Sequence, residues 1–383
     1  MAHIGTETAF QVLVRARALE AQGRKVVHLE IGEPDFDTPG HIVQAGQQAL
    51  EEGFTHYGPA VGLPELRAAV ARYLAQWRGL DVPQDRVVIT PGGKPVMFYA
   101  IMSLVNPGDE VLYPDPGFPI YESMVRFVGG KPVPMPLREE RQFRFDPDEF
   151  RSLVTERTRM IIVNSPHNPT GSVLTLDDLT AIAEVARERN IVVMSDEIYA
   201  RILYTGTHHS IAALPGMLDR TIILDGWSKT WAMTGWRLGF GVFPAELIPH
   251  VDRLISNSVS CTASFTQRAA IAALEGPQDA VDQMVAEFRR RRAFIVDGLG
   301  ALPGITCREP EGAFYAFPNI TGTGLRSQQL ADRLLADAGV ACLSGASFGQ
   351  HGEGYLRFSY ANSIENIAWA LERMAETLAV VPA

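Results

Sequence analysis

The apolar residues of this chain alternate between two textures. Runs such as MIIV at 160–163 and IVVM at 191–194 are apolar at every position, which fits strands covered on both faces. Between such runs lie helical stretches, among them PVMFYAIMSLV at 95–105 and LDDLTAIAEVARERN at 176–190. From about residue 86 to 275 the order strand, turn, helix repeats, with strands predicted at 86–90, 110–114, 131–137, 159–164, 191–196, 221–226 and 238–243. Parallel strands need crossover connections, which the helices supply. The pattern predicts an α/β fold whose mostly parallel seven-stranded sheet lies between helices.

Both flanks differ from this repeat. Residues 7–22 read as an amphipathic helix ending at Gly23, VVHLEI at 26–31 as a short strand, and GEPDFDTP at 32–39 as loop. Two more helices are predicted at 40–52 and 63–77, the second with Pro64 near its start, where a missing N–H does no harm. After residue 276 comes a long helix, 277–302, and then an α+β tail. Its strands are predicted at 304–310, 312–320 and 354–361, and its helices at 327–339 and 365–378. A chain of 383 residues exceeds one usual core. The expected division is an N-terminal arm with part of a small domain (1–40), a large domain (41–279) and a small C-terminal domain (280–383).

Composition narrows the function classes. With 46% apolar and 20% charged residues and a formal net charge of −10, the chain reads as an ordinary globular protein without a nucleic-acid surface. RRRR at 289–292 lies inside a helical pattern and is expected as a solvated face. Cys261, Cys307 and Cys342 form no CxxC pair, so neither a disulfide framework nor a zinc site is suggested, and the histidines show no metal spacing. The first thirty residues hold no signal-peptide core, and no run approaches membrane-spanning length. A cytoplasmic protein without membrane partner is expected.

In an open α/β sheet, ligands gather outside the carboxyl ends of the strands. Just after TIIL, Lys229 falls in a polar turn with Ser228 before it and Arg237 eight residues on. A partly desolvated lysine is a nucleophile toward an aldehyde, and arginine's planar fork suits phosphate. Together they suggest pyridoxal 5′-phosphate held as a Schiff base; a solvated loop lysine is the plain alternative. PGGKP makes Gly92, Gly93 and Lys94 phosphate candidates, because glycines allow close backbone approach and a helix start attracts anions. DPGFPIY brings Phe118 and Tyr121 to the same edge, where Phe118 either stacks on a heteroaromatic ring or belongs to the core. SPHNPTG holds Asn168 in a rigid turn, with His167 read as structural. Asp196 ends a buried strand, where a carboxylate needs a cation such as a pyridinium, a helix to cap or an internal salt bridge, and Tyr199 follows three residues later. Arg357, amid apolar strand residues, clamps a carboxylate or forms a salt bridge.

SPHNPTG, SDEIY and SKTWAMTGWRLG, in this order and spacing, resemble the class I/II aminotransferases of the aspartate aminotransferase fold, fold type I among pyridoxal-phosphate enzymes. The likeness covers nearly the whole chain, from IGEPDFDTP through YGPAVGLPELR, GDEVLYPDPGFPIY and GAFYAF to LRFSYANS. It implies that Lys229 binds the cofactor covalently and later moves the substrate proton. It further implies that Asp196 keeps the pyridine nitrogen protonated and that Tyr199 and Asn168 bond the ring oxygen. Arg237, Ser228, Gly93 and Lys94 match positions at or beside the phosphate, and Phe118 the stacking position, where many relatives carry tryptophan. Gly32 and Arg357 match the receivers of the substrate α-carboxylate. Tyr57 matches a tyrosine reaching the neighbouring subunit's phosphate, which implies a homodimer with shared sites.

The implied reaction passes an amino group from an L-amino acid to a 2-oxo acid by a ping-pong cycle. The donor is left open among acidic, aromatic and aliphatic amino acids. Dedicated aspartate enzymes of another branch bring in a partner arginine, and the matching stretch 254–267 contains none; Lys94 either reads an acidic side chain or borders the phosphate. A C–S β-lyase is the alternative, since both reactions share a carbanion. A ligand-sensing regulator on this fold would carry a DNA-binding segment ahead of VVHLEIGEPDF, and none is expected.

Overall fold

The computed structural model describes residues 8–379, so Glu7 of the predicted first helix, residues 1–7 of the expected arm and 380–383 of the last expected domain lie outside the described residues. After a two-residue strand β1 (Val27–His28), seven strands form one sheet. These are β2 (Val87–Thr90), β3 (Glu110–Asp115), β4 (Lys131–Pro136), β5 (Thr158–Asn164), β6 (Val192–Asp196), β7 (Thr221–Gly226) and β8 (Gly239–Val242). Their order is β2-β8-β7-β6-β5-β3-β4, and only β8 runs against its neighbours. Every residue of β2, β3, β7 and β8 is buried, as apolar runs without alternation require. The proline-rich β4 stands at the edge, where a missing N–H breaks no central ladder.

Local signals place the helices around this sheet. Thr175 and Asp178 form a capping box at the start of Leu176–Glu188, and Asp146 accepts from the backbone N–H groups of Asp148 and Glu149 to open Pro147–Leu153. Gly79, at φ 62°, ends Pro64–Arg78 in the left-handed conformation that glycine adopts without strain. Lys94–Leu104 begins with Gly93 as its N-cap, immediately after the turn that follows β2.

The tail departs from its sequence pattern. Its strands are β9 (Tyr315–Ala316), β10 (Val340–Ala341), β11 (Leu343–Ser344) and β12 (Leu356–Ser359). The strand predicted at 304–310 is reduced to one bridge, Thr306 to Asn319, and that at 312–320 to two residues. Pro310 and Pro318 lack the N–H a ladder needs. VVHLEI likewise keeps only β1, which pairs in parallel with β10 and joins the first forty residues to the tail. The predicted helix 327–339 continues from Ser327–Arg333 as a π-helical turn, Leu334–Ala338.

The long helix Asp279–Gly300 corrects another expectation. Arg289 and Arg290 are exposed, whereas Arg291 and Arg292 are buried, because helical periodicity turns them inward. Arg291 meets Asp35 at 2.7 Å and Glu287 at 2.9 Å, and Arg292 meets Glu309 at 2.8 Å. Phe288 of the same helix packs against Phe36 (5.4 Å between ring centroids), Phe314 (5.1 Å) and Tyr360 (6.4 Å). Among the described residues no helix is long and apolar enough to cross a membrane, no acidic, histidine or cysteine cluster has the makings of a metal site, and the three cysteines are free.

Phe288 is fully buried between the 32–39 loop and the tail. Phe288→Ala is therefore expected to cost about 3–5 kcal/mol in urea denaturation. A loss below about 1 kcal/mol would mean that this aromatic cluster is not a structural tie.

Candidate active site

The carboxyl ends of the parallel strands open into a cleft of about 500 Å³. Of the residues singled out in the sequence, Gly32, Gly93, Lys94, Phe118, Asn168, Asp196, Tyr199, Ser228, Lys229, Arg237 and Arg357 line it. Gly92 stands behind the lining, and Tyr57 lies outside the cleft of its own chain, 88% exposed. His167 is buried outside it, with Nδ1 2.8 Å from the Thr170 hydroxyl, and burial pushes its pKa down to about 3.

At the centre, the Lys229 amine donates to the Gly32 carbonyl at 2.6 Å. Asp196, at the end of β6, is 8% exposed. Its Oδ2 accepts from the Tyr121 hydroxyl at 2.6 Å and its Oδ1 from the Ile198 N–H at 3.2 Å. Burial pushes its pKa up to about 6 against these two donors, with Asp225 and Glu197 adding to the rise. The Tyr199 hydroxyl lies 2.7 Å from that of Tyr315, and burial raises the Tyr199 pKa well above the ordinary phenol value.

Arg357 occupies the tail side. It is 3% exposed, and its Nη1 donates to Asn168 Oδ1 at 3.1 Å and its Nη2 to the Glu30 carbonyl. The guanidinium lies over Tyr315, 4.5 Å from the ring centroid, with Phe348 at 5.0 Å. Its Nε is buried without a hydrogen-bond partner, and no carboxylate among the described residues pairs with it, so the internal salt bridge is not formed.

Arg237 occupies the opposite side. It adopts φ 53°, unusual for a residue with a Cβ, and Nη1 donates to the Thr234 carbonyl at 2.8 Å. Gly92, at φ 89°, leaves room for it: a Cβ there would stand 2.3 Å from Arg237 Nη2. Gly239 lets β8 approach the same turn, since its Cβ would meet the Gly92 backbone at 2.4 Å. Lys94 Nζ lies 5.5 Å from the Phe118 ring centroid, and Phe118 meets Tyr121 edge-on at 5.7 Å. The cleft thus gathers two guanidiniums, the Lys229 amine and a buried carboxylate in its lining.

Tyr315 and Asn164, which line the cleft and bond its polar residues, were not singled out in the sequence. Tyr315 is 1% exposed and lies among apolar neighbours, so nothing in the sequence separates it from a core aromatic, whereas Tyr121, expected at this edge, lines the cleft although it is equally buried. Asn164 accepts from the Asn168 N–H at 2.9 Å and donates to the Asp196 carbonyl at 3.0 Å; its position at the end of an apolar run was the available signal.

An acid whose folded pKa lies above its unfolded value holds its proton more tightly when folded. Ionising Asp196 therefore removes stability as pH rises from about 4 to about 6. In the ligand-free protein, Asp196→Asn is expected to match the parent near pH 4 and to exceed it at pH 7 by up to about 3 kcal/mol. Parallel denaturation profiles for the two across this range would show an ordinary carboxylate.

Comparison with known proteins agrees with this geometry. The family model of aminotransferase class I and II matches residues 24–374. An aspartate aminotransferase of Pyrococcus horikoshii is 43% identical over 92% of this chain and 90% of its own length, and an aromatic-amino-acid aminotransferase of Thermococcus litoralis 42% over 94% and 93%. The solved aspartate aminotransferase from Thermus thermophilus with maleate superposes with a TM-score of 0.94 at 37% identity, covering 98% of this chain and 97% of that one. The chain belongs to the class I and II aminotransferases, adopts their fold type I architecture, and is a transaminase.

Proposed function

We propose that this transaminase works with pyridoxal 5′-phosphate and takes its amino group from an acidic L-amino acid, aspartate foremost, passing it to a 2-oxo acid in a ping-pong cycle. The observation that carries the reading is the shared cleft: Lys229, the buried Asp196, Arg237 and Arg357 all line it. The residues fit the cofactor. Glycine at 92 makes room for Arg237, Gly93 starts a helix whose first N–H groups attract anions, and Asp196 is a buried carboxylate suited to a protonated ring nitrogen. In this reading Arg237, Ser228 and Gly93 hold the phosphate end with Lys94 beside it, Phe118 stacks on the ring, and Asn168 and Tyr199 donate to its oxygen. When bound, the ring supplies the electron sink that makes the substrate Cα–H acidic.

The chain's own groups do the rest. Arg357 and the backbone at Gly32 receive the substrate α-carboxylate, with the guanidinium already oriented by Asn168, the Glu30 carbonyl and the Tyr315 ring. Lys229 Nζ takes the Cα proton of the donor in the first half-reaction and gives a proton to Cα of the newly formed amino acid in the second. An aspartate adduct would carry three anionic groups, and the cleft offers three cations besides Lys229: Arg237, Arg357 and Lys94. That match, and relatives named as aspartate aminotransferases, support Lys94 as reader of the distal carboxylate. The names of these relatives also favour transfer over β-elimination.

The proposal includes a cytoplasmic homodimer divided as 1–40, 41–279 and 280–383. Tyr57, outside its own cleft and largely exposed, is available to a partner's phosphate site.

Single amino acids added to the cofactor-loaded protein should bleach its absorbance fastest with aspartate. Lys94→Met is expected to raise KM for aspartate about tenfold or more, leaving aromatic donors within about threefold. Faster turnover of an aromatic or aliphatic donor would overturn the acidic assignment. Lys229→Ala should retain the cofactor without covalent attachment and show no exchange. Tyr57→Phe should weaken cofactor retention in a species of dimeric mass by light scattering; a monomeric mass would remove the shared-site reading.

A further inference from the structure

A buried cluster of charges lies outside the cleft lining, and the chemistry above does not use it. Arg78, the last residue of helix Pro64–Arg78, has a side chain only 4% exposed. It donates to Glu197 Oε2 at 2.5 Å and to Asp225 Oδ2. Glu197 also accepts from the hydroxyls of Ser195 (2.9 Å) and Ser210 (2.6 Å), and its Oε2 faces His208 Nε2 at 3.1 Å. Asp225 Oδ1 accepts from the Gly226 N–H at 2.6 Å. Each carboxylate oxygen therefore has a partner, the condition for keeping ions in such a place.

The cluster adjoins the catalytic carboxylate. Glu197 follows Asp196 directly, and Asp225 follows Leu224, the residue paired with Asp196 across β6 and β7. Three carboxylates thus share two neighbouring strand ends with one guanidinium. Without that guanidinium, the charges of Glu197 and Asp225 would drive a proton onto Asp196. With it, Glu197 stays ionised despite its burial, its pKa held down to about 2 by Arg78 and His208.

We propose that Arg78 is a positioning residue for transamination: by neutralising Glu197 and Asp225 it keeps Asp196 anionic at the end of β6. The inference rests on the cofactor reading above. The other ionisable groups bearing on Asp196 are Tyr121 and Tyr199. Those around Arg78 and its partners are His208, Tyr73 and Arg201, the last stacked on Trp77 at 3.7 Å. Protonated His208 works in the same direction as Arg78, because it shares Glu197.

The test is an absorbance titration of the cofactor-loaded protein between about pH 5 and 10, with the pH profile of kcat beside it. Arg78→Met should raise the midpoint of the colour change and the acid limb of kcat by roughly one unit, tenfold in proton affinity, and lower kcat more than it raises KM. Arg78→Lys, which keeps the charge, should stay within about 0.3 units of the parent, and Glu197→Gln should move the midpoint downward. Unchanged midpoints in Arg78→Met and Glu197→Gln, or a shift in Arg78→Lys equal to that in Arg78→Met, would overturn the proposal. Should Arg78→Met fail to fold, Glu197→Gln decides: a downward shift supports the proposal, and none or an upward one refutes it. Parent protein that takes up no pyridoxal 5′-phosphate refutes the cofactor reading instead, a result distinct from a loaded parent with unshifted variants.

Discussion

Holding ions where water cannot reach them is the constraint around which this molecule is built. Asp196 and Arg357 are 8% and 3% exposed, and isolated charges at such sites would be lost to neutralisation or would unfold the region. Neither is left isolated. Asp196 is held by a phenol and a backbone N–H, and Arg357 by an amide oxygen, a carbonyl and two aromatic faces. These partners come from the helix after β3, the turns after β5 and β6, the segment after β1 and the tail. Residues 30–32 serve both ends: the Glu30 carbonyl accepts from Arg357 and the Gly32 carbonyl from Lys229. One short loop therefore sets the distance between the amine and the guanidinium, and every element that anchors it contributes to the site.

The large sheet was legible because its strands are continuous apolar runs, and their observed limits differ from the predicted ones by a residue or so. The tail was less legible for a physical reason. Strands of two residues, such as β10 and β11, have no periodicity to read, since they exist through partners far away in sequence. The same contrast governs the site. Lys229, Asp196 and Asn168 announce themselves as polar residues just beyond apolar runs, whereas Tyr315 offers the cleft one oxygen at the end of a core ring. Arg291 and Arg292 failed the other way: composition marks a run of arginines as solvated, but a helix gives each of four successive residues a different direction.

Backbone strain marks the Arg237 side of the cleft. Arg237 holds a left-handed conformation that costs on the order of 1 kcal/mol or more in a residue with a Cβ. It persists because the turn at Gly92 and the start of β8 at Gly239 approach too closely to allow side chains at either glycine. The backbone of two sheet strands thus dictates where the guanidinium stands, independently of the tail.

That separation explains how relatives named for different donors share one architecture. Gly93, Asp196, Lys229 and Arg237 all arise from the large sheet and its turns, so the groups proposed for the common chemistry are set by its core. The remaining wall draws on Ala9 and Phe10 of the first helix, on Gly32 and Glu33, and on Arg357 of β12. In the proposed reading Arg357 serves any α-carboxylate, so discrimination would fall to the first helix, the 32–33 loop and Lys94. Phe10 is 59% exposed, and substitution there disturbs little packing. Selection among amino acids can therefore drift at the rim while the buried ions beneath it stay fixed.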